Sequence, residues 1–517
     1  MFFPKTIPFL LLLLLTPTVW AGGMSTHMFQ SEKAYKQIVE PELKQLLDKN
    51  RNAWISGTQY PDAGYSPGFF GKEQHVWGEA SHWAPFIERY LDVVIEQCQG
   101  RYLTDPECGQ LAAHFLGAAA HGLQDEVYDS LFIPKVTEID HKGQETTDLG
   151  IDMILLMEHN RNAFIPNPWY TPVEALEIVY ARMGFSTDEA NRSQIISATK
   201  ISELGNLGER LIAPFLYRHY KNLMPWGSRN YMTYPGGVEF GGQVTANLWR
   251  YLWKRLNGEA DRSEVKLTHL PKRDANNIAI NKSNTESQIS VVFDRYIIPA
   301  SVNNTSFRVL DDSGQQVSGS IGLFANSQQN FAEAHMIKFW PYETFRYDTQ
   351  YRVVLDNNIL DETGNSVFGL PGYEWTFRTE SANDYVQLSS QGFCLGLRHY
   401  NAASADIILE LRECGTSRHQ QWYVDSENRW HNRARADLCL QPTGTRLAAW
   451  QGIKARSCSE STLQKWHYDS TNHSMNFIST AKYGMGTLIK AWAGTEIRTL
   501  PQSSNALQRW ELIRVED

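Results

Sequence analysis

The triplets Gln420-Gln421-Trp422, Gln464-Lys465-Trp466 and Gln508-Arg509-Trp510 recur at a spacing of 44 residues. No other feature constrains the fold as much. An aromatic residue repeated at equal spacing, each time two positions after a carboxamide, implies copies of one structural unit packed on a shared core. Each triplet closes a segment of short apolar runs broken by Gly, Asn, Asp and Ser, the pattern of brief strands and tight turns. Residues 384–517 therefore read as an all-β unit with Trp422, Trp466 and Trp510 as its repeat core.

Composition changes again near residue 265. Segments 83–98, 109–132, 147–160, 172–184 and 240–256 carry apolar residues at helical spacing, with Pro85 where a first helical turn tolerates it. Residues 22–265 are predicted to be all-α. After the charged, Asn-rich stretch 271–287, alternating segments at 288–293, 306–310, 336–340, 351–355 and 374–378 are separated by turn signals at 311–314 and 361–364. That spacing predicts a β-sandwich over 266–380, with the role of a spacer.

Residues 1–21 contain one lysine, an apolar run at 7–15 and the small-residue site Val19-Trp20-Ala21. This is the pattern of a secretory signal peptide cleaved after Ala21, and the run falls well short of the roughly 20 apolar residues that span a bilayer. The six cysteines suit an oxidising compartment, and their spacing offers the short loops Cys98–Cys108, Cys394–Cys414 and Cys439–Cys458. The expectation is a secreted extracellular monomer that touches membranes only peripherally. A net charge of −9 argues against nucleic acid as a partner.

Chemistry concentrates in the first half. His121 and Asp125 lie four residues apart in a strongly helical run, which puts an imidazole and a carboxylate on one helix face. The same half contains Ser25-Thr26-His27, Tyr60-Pro61-Asp62, Ser81-His82-Trp83-Ala84-Pro85-Phe86 and Asp148-Leu-Gly-Ile-Asp152. His114, seven residues before His121, is expected in the core or behind a ligand, and His159 at a helix end. Tyr60, Tyr65, Trp77 and Tyr128 lie near these motifs, and Tyr60 and Tyr65 are the substrate-binding candidates, as walls of an aromatic cage for a choline head group.

In this order the motifs resemble the zinc-dependent phospholipase C/D family, which includes bacterial zinc phospholipase C and the N-terminal domain of GPI-specific phospholipase D and, more distantly, fungal single-strand nucleases. The resemblance implies a secreted phosphodiesterase of the phospholipase C type acting on phospholipid head groups, with two to three Zn²⁺ ions. By position, His82, His121 and Asp125 hold one zinc, and Asp125 bridges to a second held by His27 and by the amino and carbonyl groups of Gly22. Asp62 takes the place of the general base, with metal ligation as the alternative. Where the family usually has imidazoles, this chain has Asp129, Asp148 and Asp152, a harder site that suits Ca²⁺, Mg²⁺ or Mn²⁺. Phospholipase D or nuclease-like cleavage, and an inactive carbohydrate-binding protein, are the alternative functions.

The phrases ISVVFDRYI, YRVVLDNNILDETGN and YEWTFRT resemble bacterial Ig-like domains. The repeat resembles the ricin-type β-trefoil lectin, which implies a glycan or a glycosylated surface as partner. Lectins of that type place an Asp two residues after the first Cys of a unit; here Gly396 and Gln441 stand there.

Overall fold

Where α6 (Pro106–Val127) crosses α3 (Arg51–Gln59), backbone meets backbone: a Cβ on Gly117 would lie 2.2 Å from the Trp54 carbonyl oxygen, and one on Gly57 would lie 2.1 Å from that of His114. Only glycine permits that approach, and it fixes the height at which α6 presents its polar residues. This crossing is the centre of the helical half in a computed structural model that describes residues 23–515, apart from 71, 166, 260–263, 281–288, 324–333 and 400–403. The expected signal peptide at 1–21 and the candidate ligand Gly22 lie outside the described residues.

The other helices are α1 (Met24–Gln37), α2 (Pro41–Lys49), α4 (Trp77–Ala80), α5 (Ala84–Cys98), α7 (Ile133–Asp140), α8 (Gln144–Glu158), α9 (Val173–Met183), α10 (Arg192–Leu223), α11 (Gly227–Asn230) and α12 (Val238–Leu256). Asp105 caps α6 by accepting from the amides of Glu107 and Cys108, and Pro106 fills the first helical position. The Cys98–Cys108 disulfide ties the end of α5 to the start of α6. At its far end α6 runs into a π-helical turn, Tyr128–Phe132, a widening of the helix often found at functional sites.

The middle unit is a sandwich of two four-stranded sheets. Its strands are β1 (Leu267–Leu270), β2 (Ala275–Ile278), β3 (Ile289–Ile297), β4 (Phe307–Leu310), β5 (Gly319–Leu323), β6 (Ala334–Pro341), β7 (Gln350–Leu355) and β8 (Tyr373–Thr379). One sheet has the order β1-β3-β6-β5 and the other β2-β8-β7-β4, in which β2 and β8 run parallel. Ile289, Val291, Phe293, Val353, Trp375 and Phe377 fill the space between the sheets. The opposite face of β3 and β6 packs Val292, Tyr296 and Met336 onto the helices. A spacer role therefore needs correcting: His335 of β6 pairs with Glu126 of α6 at 3.2 Å, and Glu362 accepts from Tyr251 at 2.7 Å and Arg255 at 2.9 Å, both on α12.

The C-terminal unit repeats one hydrogen-bond scheme. Each triplet glutamine lies in a 3₁₀ turn, at Arg418–Gln420, Thr462–Gln464 and Ala506–Gln508. Each amide nitrogen donates seven residues back, to the carbonyls of Glu413, Ser457 and Pro501 at 2.9, 2.9 and 2.7 Å. Each amide oxygen accepts five residues back, from the backbone of Gly415, Ser459 and Ser503. The tryptophan indoles donate to Leu395, Leu440 and Met485 at 2.9, 3.0 and 2.8 Å, and all three are buried. The Cys394–Cys414 and Cys439–Cys458 disulfides form as the spacing predicts.

Candidate metal centre

His121 and Asp125 sit one turn apart near the end of α6, with Gln124 beside them. His82 comes from the short link between α4 and α5, and it reaches α6 only because Gly122 lacks a side chain: a Cβ there would lie 2.0 Å from the His82 carbonyl oxygen. His27 lies in the first turns of α1, and Asp62 in the 3₁₀ segment Pro61–Phe70. Five side chains from four separate stretches of sequence thus converge, and each is at most 2 % exposed.

The ring nitrogens are sorted. His121 Nδ1 faces the Thr58 carbonyl at 2.7 Å, His82 Nδ1 that of Gly78 at 2.9 Å, and His27 Nδ1 the Gln124 amide oxygen at 2.9 Å. Gln124 presents that oxygen because its nitrogen donates to Ser31 and Thr245. An acceptor opposite Nδ1 requires the proton there, so every Nε2 turns toward the common centre.

At that centre His27 Nε2 lies 3.2 Å from Asp125 Oδ1, and His121 Nε2 lies 3.4 Å from Asp125 Oδ2. Asp62 Oδ1 is 3.4 Å from His82 Nε2 and 3.5 Å from His121 Nε2. His27 with His121 and Asp125, and His82 with His121 and Asp62, form two ligand sets whose donor atoms lie within 4.8 Å of one another. Both oxygens of Asp62 and of Asp125, and Nε2 of His27, are buried without a hydrogen-bond partner. Buried carboxylates facing imidazole lone pairs cost free energy unless a cation joins them. The donor set, mixed imidazole and carboxylate, fits Zn²⁺.

Without a cation, the carboxylates favour the protonated form of two of the rings. Burial acts to lower His27, but the Asp125 carboxylate outweighs it and holds the imidazole up at about 9. Burial likewise opposes protonation of His82, and Asp62 and Asp125 overcome it. Burial pushes Asp62 up, while His121 and His82 draw it below the usual carboxylate range. Burial and the charge of His27 lower His121.

The three further aspartates do not form one site. Asp152 accepts from the amides of Ser25 and Thr26 at 2.9 and 2.8 Å and from the Thr26 hydroxyl at 2.6 Å, so it caps the start of α1. This corrects its place as a metal ligand: both oxygens already hold the helix that carries His27. Asp148 keeps both oxygens unpartnered, and Asp129 keeps Oδ1 while Oδ2 accepts from Gln144. Burial first, then neighbouring carboxylates, push both groups well above the ordinary range.

The aromatic cage also needs correcting. Tyr60 is a core residue, its hydroxyl 2.7 Å from that of Tyr180 and its ring stacked on Trp77. Tyr128 packs on Phe132 instead. Only Tyr65 adjoins the centre, with its ring 5.5 Å from that of His82 and its hydroxyl donating to Glu79. His114 is buried beside Tyr90, whose hydroxyl lies 2.9 Å from Nδ1, and His159 ends α8, as expected. Sequence reasoning missed Gln124 and Glu209, which accepts from Ser25 at 2.8 Å. The signal for Gln124 was present: it is a polar residue between His121 and Asp125 in an otherwise apolar helix.

The bacterial Ig-like domain family matches residues 262–379. The phosphatidylinositol-glycan-specific phospholipase D of Rattus norvegicus is 26% identical over 268 residues, covering 49% of this chain and 31% of that protein. The Homo sapiens protein of the same name is 25% identical over 232 residues, covering 42% of this chain and 27% of its own length. The chain thus spans less than a third of the length of these relatives. Among solved structures, the Vibrio vulnificus hemolysin/cytolysin β-trefoil lectin covers 26% of this chain and 98% of its own, with 19% identity and a TM-score of 0.22. The earthworm R-type lectin C-half covers 26% and 99%, with 16% identity and a TM-score of 0.22.

Proposed function

We propose that this chain is a metal-dependent phosphodiesterase that hydrolyses the head-group phosphodiester of a phospholipid. The observation that carries the reading is the convergence of three oriented imidazoles on the unpartnered carboxylates of Asp62 and Asp125. Similarity to relatives named for phospholipid cleavage supports the substrate class. His82, His121 and Asp62 would hold one Zn²⁺, and His27 and Asp125 a second, with the Gly22 terminus as a further donor. Asp62 serves here as ligand in place of base, because its oxygen stands as close to His121 as that of Asp125 does. Zinc held there supplies charge neutralisation for the phosphodiester and an acidified water.

The chain's own residues keep that arrangement fixed. Thr58, Gly78 and Gln124 hold each imidazole in one tautomer, and Asp152 anchors α1 so that His27 keeps its place. Asp129 and Asp148 are the remaining donors for a third, harder cation. The proposed cut is of the phospholipase C type, on the diacylglycerol side; the names of the relatives support the opposite, D-type side. Identifying the products of phosphatidylcholine turnover, before and after chelation, tests both points. Diacylglycerol with phosphocholine supports C-type cleavage, phosphatidate with choline supports D-type, and turnover that resists chelation refutes the metal.

We read the C-terminal unit as a β-trefoil that docks the enzyme on glycans. Gln441 is engaged by Gln464 at 2.7 Å, and Gly396 lies against His419, so sugar would be held by other groups of the unit. Binding of the full chain to a glycan array tests this, and silence on every glycan refutes it.

A further inference from the structure

Helix α10 runs for 32 residues and has two unlike faces. Its inner face packs against the metal-bearing half: Ser202 and Asn206 touch Met24 and Met28, and Glu209 accepts from Ser25, two residues before His27. Its outer face carries Leu204, Leu207, Leu211 and Phe215, at helical spacing and 67%, 41%, 57% and 83% exposed. Over that span the stripe is about 16 Å long. Isolated exposed leucines are ordinary, but an exposed phenylalanine in line with three leucines on one helix face is a patch.

A cation stands at each end of the stripe. Lys200 precedes it and Arg218 follows it by one turn; both are exposed, and neither has an ion-pair partner among the described residues. The acids of α10 are turned elsewhere: Glu203 accepts from the Trp169 amide at 2.6 Å, and Glu209 is buried. In a chain of net charge −9, an apolar stripe bracketed by cations is complementary to one kind of surface, an apolar layer under anionic head groups.

We propose that the outer face of α10 docks the protein on an anionic phospholipid bilayer, with Leu204, Leu207, Leu211 and Phe215 entering the interface and Lys200 and Arg218 meeting the phosphates. The inference deepens the proposed function, since it places the substrate's own surface on the helix that backs the metal centre. Docking itself requires no turnover, so the two readings fail separately.

The test is flotation of the full chain, in chelator, with vesicles of phosphatidylcholine containing three parts in ten phosphatidylglycerol, and with phosphatidylcholine alone. Wild-type protein is expected to float with the anionic vesicles and more weakly with the neutral ones. Leu211→Glu with Phe215→Glu is expected to weaken binding by about tenfold or more, because two apolar side chains no longer enter the interface. Lys200→Glu with Arg218→Glu is expected to abolish the preference for anionic vesicles while leaving neutral binding unchanged. Phe215→Ser, the mildest change, secures the result if the double variant fails to fold. Wild-type protein that does not float overturns the proposal, as does a folded apolar-stripe variant that floats like wild type. A wild-type dimer that the stripe variant splits also overturns it, since a second copy would then own this face. Flotation without turnover of any phosphodiester would refute the proposed enzyme and leave the docking face standing.

Discussion

The metal centre and the Gln-x-Trp units are buried alike and satisfied in opposite ways. In the three Gln-x-Trp units Gln420, Gln464 and Gln508 and the indoles of Trp422, Trp466 and Trp510 all have partners, the glutamines with the same offsets. Around Asp62 and Asp125 both carboxylates and the Nε2 of His27 are buried without a hydrogen-bond partner. The first arrangement is complete in itself and stabilises the fold. The second leaves buried polar atoms unpartnered at a cost in stability, which the proposed cation would offset. What sets the centre apart is that unpartnered carboxylate oxygens and an unpartnered imidazole nitrogen from separate stretches of sequence converge on one point.

The largest expected effect separates the two regions by activity. Asp125→Ala should lower turnover of a soluble phosphodiester by about 10³-fold or more, because it removes the carboxylate of one of the two ligand sets and with it several kcal/mol of charge stabilisation. Far-ultraviolet circular dichroism should show the fold intact. In the opposite region, Trp466→Ala should cost about 3–5 kcal/mol in urea unfolding of the C-terminal unit, through a cavity and an orphaned Leu440 carbonyl, while soluble-substrate turnover stays within about twofold. A variant that reversed these two outcomes would break the comparison.

The helical half offers an internal control, since His114 and His121 share a face of α6. Burial depresses His114 to about 3, below its unfolded value, so its neutral form contributes stability that is present above about pH 6.5 and lost as the pH falls toward 3. Metal-free protein should lose up to about 1.4 kcal/mol per pH unit over that window from this group, and His114→Gln should flatten the slope. A slope unchanged in His114→Gln would remove His114 from the account. The smallest effect is a gain: Asp148→Asn should raise the metal-free protein's stability by about 1 kcal/mol, because a buried carboxylate crowded by others is replaced by a neutral isostere. A loss of stability would show that Asp148 has a partner the geometry does not reveal.

Much of this was legible in the sequence. The site residues His27, Asp62, His82, His121 and Asp125 were marked by motifs, and five helices and five strands by periodicity. Helix α10 was missed because its outer face is apolar where a solvent-facing helix should be polar, which blurs the amphipathic pattern. Strands β1, β2 and β5 are short and mostly half-buried or exposed, so alternation is faint in them. Asp152 was misread for a subtler reason. Its sequence position suits a ligand, but the amides of a helix 126 residues away claim its oxygens, and no local pattern encodes a partner at that distance.

The central claim is that the converging imidazoles and carboxylates are a metal site. Its most direct test is elemental analysis of the full chain after exhaustive dialysis against limiting Zn²⁺, with Asp125→Ala and Trp466→Ala in parallel. About two tightly held zincs per wild-type chain, the same in Trp466→Ala and at most one in Asp125→Ala, is the predicted result. Wild-type protein that retains no zinc, or Asp125→Ala that retains as much as wild type, would contradict it.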